Sequence, residues 1–146
     1  MVLGQYEGKI DEKSRSSFPK RFRTFFGEKL VITKGLDINL IVVSQANWES
    51  LLEGTDGISF LNKDAREMQR YLLGNASFVE LDDKGRILLP GYLKDYAKLH
   101  DDIVFVGMKR YIEVWDKEIW EKEQVRLSQK ITSIAKRLSE GSREGE

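Results

Sequence analysis

The chain has 146 residues, with 24 Lys and Arg against 24 Asp and Glu, one His and no Cys. That length suits one domain, or two small ones, and a net charge of zero advertises no global affinity for nucleic acid or membrane. Without Cys there is no disulfide framework, no thiolate metal site and no thiol nucleophile, which fits a reducing cytosol.

In chain order, MVLGQYEGK lacks a signal-peptide core, and no apolar run is long enough to span a bilayer. The expectation is a soluble, cytoplasmic protein. A strand over this opening leads into DEKSRSSFP (11–19), whose Glu12, Lys13 and Ser14 have turn composition. A second short strand follows, then a short helix, PKRFRTFFG, with Pro19 at its first position. KLVITKG is a β-branched strand. LDINLIVVSQANW (36–48) contains another strand and ends in a helix start, with Ser44 as the cap and Trp48 four residues on. Residues 53–63 are loop-like, and DAREMQRYLL places Ala65, Met68, Tyr71 and Leu72 at helical spacing. Strand, turn and strand recur around DDKGRILLP (82–90), where Gly85 suits a positive φ. PGYLKDYAK is a helix opened by Pro90, and DIVFVGM and MKRYIEVWDKEIW (108–120) end on Asp116 as a cap and Trp120. Beyond it Leu127, Ile131, Ile134 and Leu138 form a narrow apolar seam on a polar helix, expected to pack on its own domain, with an intersubunit clasp as the alternative. Gly141 is the expected stop, and SREGE is expected to fray.

The two nine-residue stretches carry Asp, Lys, Arg and Pro in the same register. Asp11, Lys13, Arg15 and Pro19 map onto Asp82, Lys84, Arg86 and Pro90 at a constant offset of 71, and later counterparts drift only to 73. This internal repeat covers most of the first 121 residues. Half a chain would bury a marginal core alone, so the expected architecture is α+β: two halves related by a pseudo-twofold axis, sharing one core of about eight short strands.

Charge is distributed unevenly. Residues 9–34 hold eight cations against three acids, a local excess of +5 around the first motif, whereas residues 35–79 hold three cations against six acids. Local patches of this kind, more than net charge, make a surface for polyanions. In each motif an Asp entering the turn can accept backbone N–H bonds and reach the Arg four residues on. Arg is a planar fork suited to phosphate or a guanine edge, and Lys at the apex is a mobile point charge. The plainer alternative is an Asp–Arg pair that staples a hairpin. Lys20, Arg21 and Arg23 extend the basic patch, or form an ordinary solvated helix face.

An enzyme is not expected. His100 in KLHDD reads as a capping or surface residue, with no second His or carboxylate motif to make a metal site. No G-x-x-x-x-G-K-[ST] loop occurs. Asp82 and Asp83 are adjacent on an extended chain and so point apart. The remaining alternative is a non-catalytic protein-interaction module with a basic face.

The chain resembles the MraZ family of bacterial transcriptional regulators, built from two AbrB-type units. The resemblance lies in the paired D-x-x-x-R motif at Asp11–Arg15 and Asp82–Arg86, in LGQYEGKIDEKSR, KLVITKGLDINLIVV, LGNASFVELDDKGRILLP and YIEVWDKEIWEK. It spans residues 2–121, with two departures: Ser14 stands where the first turn usually has Gly, and a His common near Gly8–Lys9 is absent.

The resemblance implies a duplicated AbrB-like double-split β-barrel with repeats at 1–52 and 77–121, a connector at 53–76 and a C-terminal helix and tail at 122–146. It implies a nucleoid-associated regulator that binds short tandem promoter repeats in double-stranded DNA, upstream of the division and cell-wall gene cluster, as a homo-oligomeric ring. No cofactor, metal, membrane or small-molecule substrate is implied. It carries DNA contact onto Arg15 and Arg86 first, with Lys13 and Lys84 beside them. Asp11 and Asp82 orient the arginines, since a carboxylate repels phosphate. The arginine and lysine side chains are expected to be exposed.

Overall fold

A computed structural model describes residues 1–51 and 60–144. Among them lie eight strands: β1 (Val2–Lys9), β2 (Arg15–Ser17), β3 (Lys29–Lys34), β4 (Leu40–Ser44), β5 (Ser77–Glu80), β6 (Arg86–Leu88), β7 (Asp102–Lys109) and β8 (Ile112–Asp116). The helices are α1 (Lys20–Phe26), α2 (Trp48–Leu51), α3 (Lys63–Gly74), α4 (Gly91–Tyr96) and α5 (Lys117–Glu144). Most of the expected loop at 53–63 falls outside the described residues.

Six strands form one antiparallel sheet in the order β1-β7-β8-β4-β3-β5, and β2 pairs with β6 in a separate two-stranded ribbon. Each half lends strands to the other. β1 pairs with β7 of the second half, and its counterpart β5 pairs with β3 of the first. Two pairings join counterparts directly, and each is centred on an equivalent pair: Ser16 opposite Ile87 in the ribbon, and Ile41 opposite Glu113 where β4 meets β8. Exchange of the halves therefore maps the pairings onto one another.

One apolar core draws on both halves, from Ile10, Phe18, Phe22, Leu30 and Ile32 to Ile87, Leu89, Leu93, Ile103 and Phe105. Strand alternation explains the second, smaller cluster. Ile103 and Phe105 point into the shared core, while Val104 and Val106 point the other way and are covered by Trp115 and Trp120. Gly8 is required where the ribbon crosses β1, because a Cβ there would meet Ser16 Oγ at 2.7 Å and Phe105 at 2.8 Å. The α3 and α4 helices are tied to the β3–β4 turn by Tyr71 and Tyr96, whose phenols donate to the Gly35 carbonyl at 2.8 and 2.7 Å.

Ser44 caps the helical turn that follows β4, accepting from the Asn47 N–H at 3.1 Å. Asp116 accepts from Ile119 at the start of α5 and from the His100 N–H at 3.0 Å, while the His100 ring stays largely exposed. Three expectations need correction. Pro19 and Pro90 sit at the N-cap, one residue before the helix; their extended ψ of 131° and 141° keeps them outside it, since the ring restrains φ alone. Gly141 does not stop α5, which runs on to Glu144; a glycine in helical conformation near a terminus costs only about 1 kcal/mol. The frayed tail falls in part on residues 145–146, outside the described residues. Finally, Ile131 and Leu138 of the seam do not pack on their own domain, while Leu127 and Ile134 are half-buried. α5 has 28 residues, and only its first turns cover β7 and β8; Ile131 and Leu138 are 53% and 70% exposed.

Candidate nucleic-acid interface

Both motifs fold into the same aspartate-centred turn. Asp11 Oδ1 accepts the backbone N–H groups of Lys13 and Arg15, each at 2.9 Å, and Oδ2 accepts Arg15 Nε at 3.1 Å. Asp82 accepts from Lys84 N at 3.0 Å, Arg86 N at 2.9 Å and Arg86 Nε at 2.7 Å. Backbone bonds close each loop, Ser14 N to Asp11 O and Gly85 N to Asp82 O. The donors favour the charged carboxylate, so both acids sit below the usual range. The backbone N–H of Arg15 is the largest cause for Asp11, and that of Arg86 for Asp82.

Each turn needs a left-handed residue just before its Arg. Gly85 supplies it at φ 74°, and Ser14 takes it at φ 63°. Ser14 therefore keeps the geometry of the glycine turn and accepts the strain that an L residue meets there.

The aspartates leave the arginines oriented and only partly used. Nε points inward to the carboxylate in both, and among the described residues the Nη atoms have no hydrogen-bond partner. The arginine side chains are 27% and 25% exposed, so they are half-buried rather than the freely exposed groups expected. They lie along the ribbon, each beside its own aspartate.

Ribbon register decides where the two forks stand. Arg15 is opposite Leu88 and Arg86 is opposite Ser17. Alternation turns these four residues to the outer face, while Ser16 and Ile87 between them are buried. Arg15 and Arg86 are thus diagonal neighbours on one face of one ribbon, roughly 7–8 Å apart.

Exposed cations flank the ribbon in the chain. Lys13 and Lys84 are exposed at the two apices, and Lys20 and Arg21 are exposed on α1. None of the four has an acidic partner among the described residues. Arg23 is placed differently: it is half-buried, with its guanidinium over Gly85. Lys94 of α4 does the equivalent at the other turn, donating to Ser14 Oγ at 2.9 Å. Sequence reasoning passed over Lys94, although the same offset of 71 that aligned the motifs carries Arg23 onto it.

The family model described as "MraZ protein, putative antitoxin-like" matches the chain twice, over residues 1–71 and 72–140. The chain is 40% identical over 138 residues to the protein named transcriptional regulator MraZ of Caldanaerobacter subterraneus subsp. tengcongensis, covering 94% of this chain and 96% of that one. It is 39% identical over 140 residues to the protein of that name in Thermoanaerobacter sp., covering 96% and 98%. With its counterpart in Carboxydothermus hydrogenoformans the identity is 41% over 120 residues, covering 82% and 84%. Matched twice by the family model and aligned nearly end to end with relatives of that name, the chain belongs to the MraZ family.

Proposed function

We propose that the chain is a sequence-specific DNA-binding transcriptional regulator, not an enzyme, that acts on the promoter of the division and cell-wall gene cluster through repeated sites. The observation that carries this reading is the ribbon: two arginines, each aligned by an aspartate, on one outward face. A two-stranded ribbon fits the major groove of B-DNA, which is about 12 Å wide. The diagonal spacing of the arginines, roughly 7–8 Å, matches about two base steps of about 3.4 Å. Their free Nη groups suit guanine O6 and N7, while Lys13, Lys84, Lys20 and Arg21 suit phosphates. The relatives' name supports regulation as the outcome of binding.

In this reading the repeats 1–52 and 77–121, joined by 53–76, form one duplicated double-split barrel, with 122–146 as a tail. The partner is double-stranded DNA in the cytoplasm, at the nucleoid. No cofactor, membrane or small-molecule substrate takes part. One protomer offers few phosphate contacts, a number that leaves a protein in the non-specific range of roughly 10⁻⁴–10⁻⁶ M. A homo-oligomeric ring that meets successive repeats raises avidity about 10²–10⁴-fold without new contact chemistry.

Footprinting the purified protein on the DNA upstream of its own gene tests the proposal. The expected result is a set of evenly spaced protected repeats that vanishes in the Arg15→Ala/Arg86→Ala double variant. Uniform weak protection by the parent, unaltered in the folded variant, refutes it.

A further inference from the structure

We propose that Lys94 and Arg23 are positioning residues for the arginine-bearing turns, each acting on the turn of the opposite half, so that the two reading arginines are held as one unit. The inference rests on the DNA-reading proposal and assigns a task to two cations that lie half-buried against the turns.

Both are half-buried where Lys13, Lys20, Arg21 and Lys84 are exposed. Lys94 belongs to the second half and donates to Ser14 Oγ in the first turn at 2.9 Å. Arg23 belongs to the first half and lies on the second turn, its Cζ 3.2 Å from where a Gly85 Cβ would stand. The backbone repeats the exchange. Leu89 N donates to Ser14 O at 2.8 Å, and Phe18 N donates to Gly85 O at 3.0 Å. Arg23 and Lys94, Ser14 and Gly85, and Phe18 and Leu89 are each 71 residues apart, so one contact is made twice with different chemistry. Where the turn has a hydroxyl, the opposite helix supplies an ammonium to bond it. Where the turn has a buried glycine, the opposite helix supplies a flat guanidinium that fills the place of the missing side chain.

The contact falls where it has leverage. Ser14 and Gly85 each carry the left-handed φ and directly precede Arg15 and Arg86. A rotation at either residue swings the next N–H away from the aspartate and takes the Nε bond with it. At Ser14 the left-handed conformation is strained for an L residue, so the lysine bond and the Leu89 bond hold it against relaxation.

The test uses Lys94→Met in the full chain, which keeps the apolar stem and removes the donor. By NMR, the Arg15 Nε–H and the Lys13 and Arg15 amides are expected to shift while those of Lys84 and Arg86 stay, and Lys94→Arg is expected to restore them. Affinity for a duplex carrying one footprinted repeat is expected to fall roughly 3- to 10-fold, at the lower end of ordinary pairwise couplings. In a Ser14→Gly background, where the lysine's acceptor is already gone, the same change is expected to cost little. An equal loss in both backgrounds makes Lys94 a phosphate contact and overturns the proposal, as does an unmoved Arg15 resonance. Arg15→Ala distinguishes the two readings: parental affinity there sinks DNA reading by the ribbon, whereas the NMR coupling between α4 and the first turn is decided without DNA.

Discussion

Replacing Arg86 by Ala separates what the side chain does for the fold from the DNA contact proposed for it. Its Nε lies 2.7 Å from Asp82 Oδ2, and the side chain is 25% exposed. A partly exposed ion pair of this kind contributes little to stability after solvent screening. Asp82 is not orphaned by the loss, because the Lys84 and Arg86 N–H groups still bond it. The variant is therefore expected to stay folded, with a melting temperature a few degrees lower at most. A bidentate arginine–guanine contact contributes about 1–3 kcal/mol of discrimination. Affinity for a duplex with a single repeat should then fall roughly 5- to 150-fold. Arg86→Lys is the sharper control. It keeps the charge and loses the fork, so specificity should collapse while the slope of affinity against salt persists. Lys84→Ala should do the reverse, lowering the salt slope by about one and weakening all sequences alike. Fluorescence anisotropy with repeat and scrambled duplexes between about 50 and 200 mM salt reads both quantities. If Arg15→Ala and Arg86→Ala are folded and bind the repeat like the parent, base reading by the ribbon is wrong; if Arg86→Lys keeps parental specificity, the arginine is only a charge.

Gly85→Ala meets a left-handed φ of 74° and the Arg23 guanidinium together. It is expected to lower stability in thermal unfolding by about 1–2 kcal/mol, and an unchanged melt rules out a rigid second turn. Because the Asp11 and Asp82 pKa values are depressed from the ordinary 3.8, their contribution is complete above that value and is lost as pH falls through the lower folded values. Protection factors at the Lys13, Arg15, Lys84 and Arg86 amides, taken relative to intrinsic exchange at each pH, should fall only below pH 3.8, and protection lost nearer neutrality counts against carboxylate-held turns. Deleting residues 123–146 removes the exposed seam and leaves Trp120, so the product should stay folded and form a smaller assembly by light scattering; an assembly with the parental number of subunits rules out an intersubunit clasp. Inserting half a helical turn of DNA, about 5 bp, between two repeats should cost far more affinity than inserting about 10 bp, and equal affinity for both insertions removes the ring from the account.

What could be read from the sequence divides along the range of the forces involved. The aspartate turn is local chemistry: an acceptor, two N–H groups and an Arg within five residues, stated twice at an offset of 71. So are the Ser44 and Asp116 caps and the β-branched runs, each specified by its neighbours in the chain. Pairing between the halves is another matter. Nothing near β2 says that its partner is β6 rather than β1, because the choice depends on how both halves close one core. The unread features follow from that choice. Lys94 went unnoticed because Gly91 and Tyr92 stand in α4 where Lys20 and Arg21 stand in α1, so no local cluster of charge drew attention to it. Its partner Ser14 is 80 residues away and becomes a neighbour only once the ribbon forms. The seam on α5 has the same origin. Spacing shows that a helix has an apolar face, but what covers that face is decided by tertiary packing, and here the helix outruns the domain that begins it. The same distinction bears on the DNA reading proposed for the ribbon. Each arginine's direction is set locally by its aspartate, whereas the distance between the two is set by the cross-half register of Ser16 opposite Ile87. A change in a turn should therefore weaken one contact, while a change in the ribbon register should alter which base steps the pair can reach together.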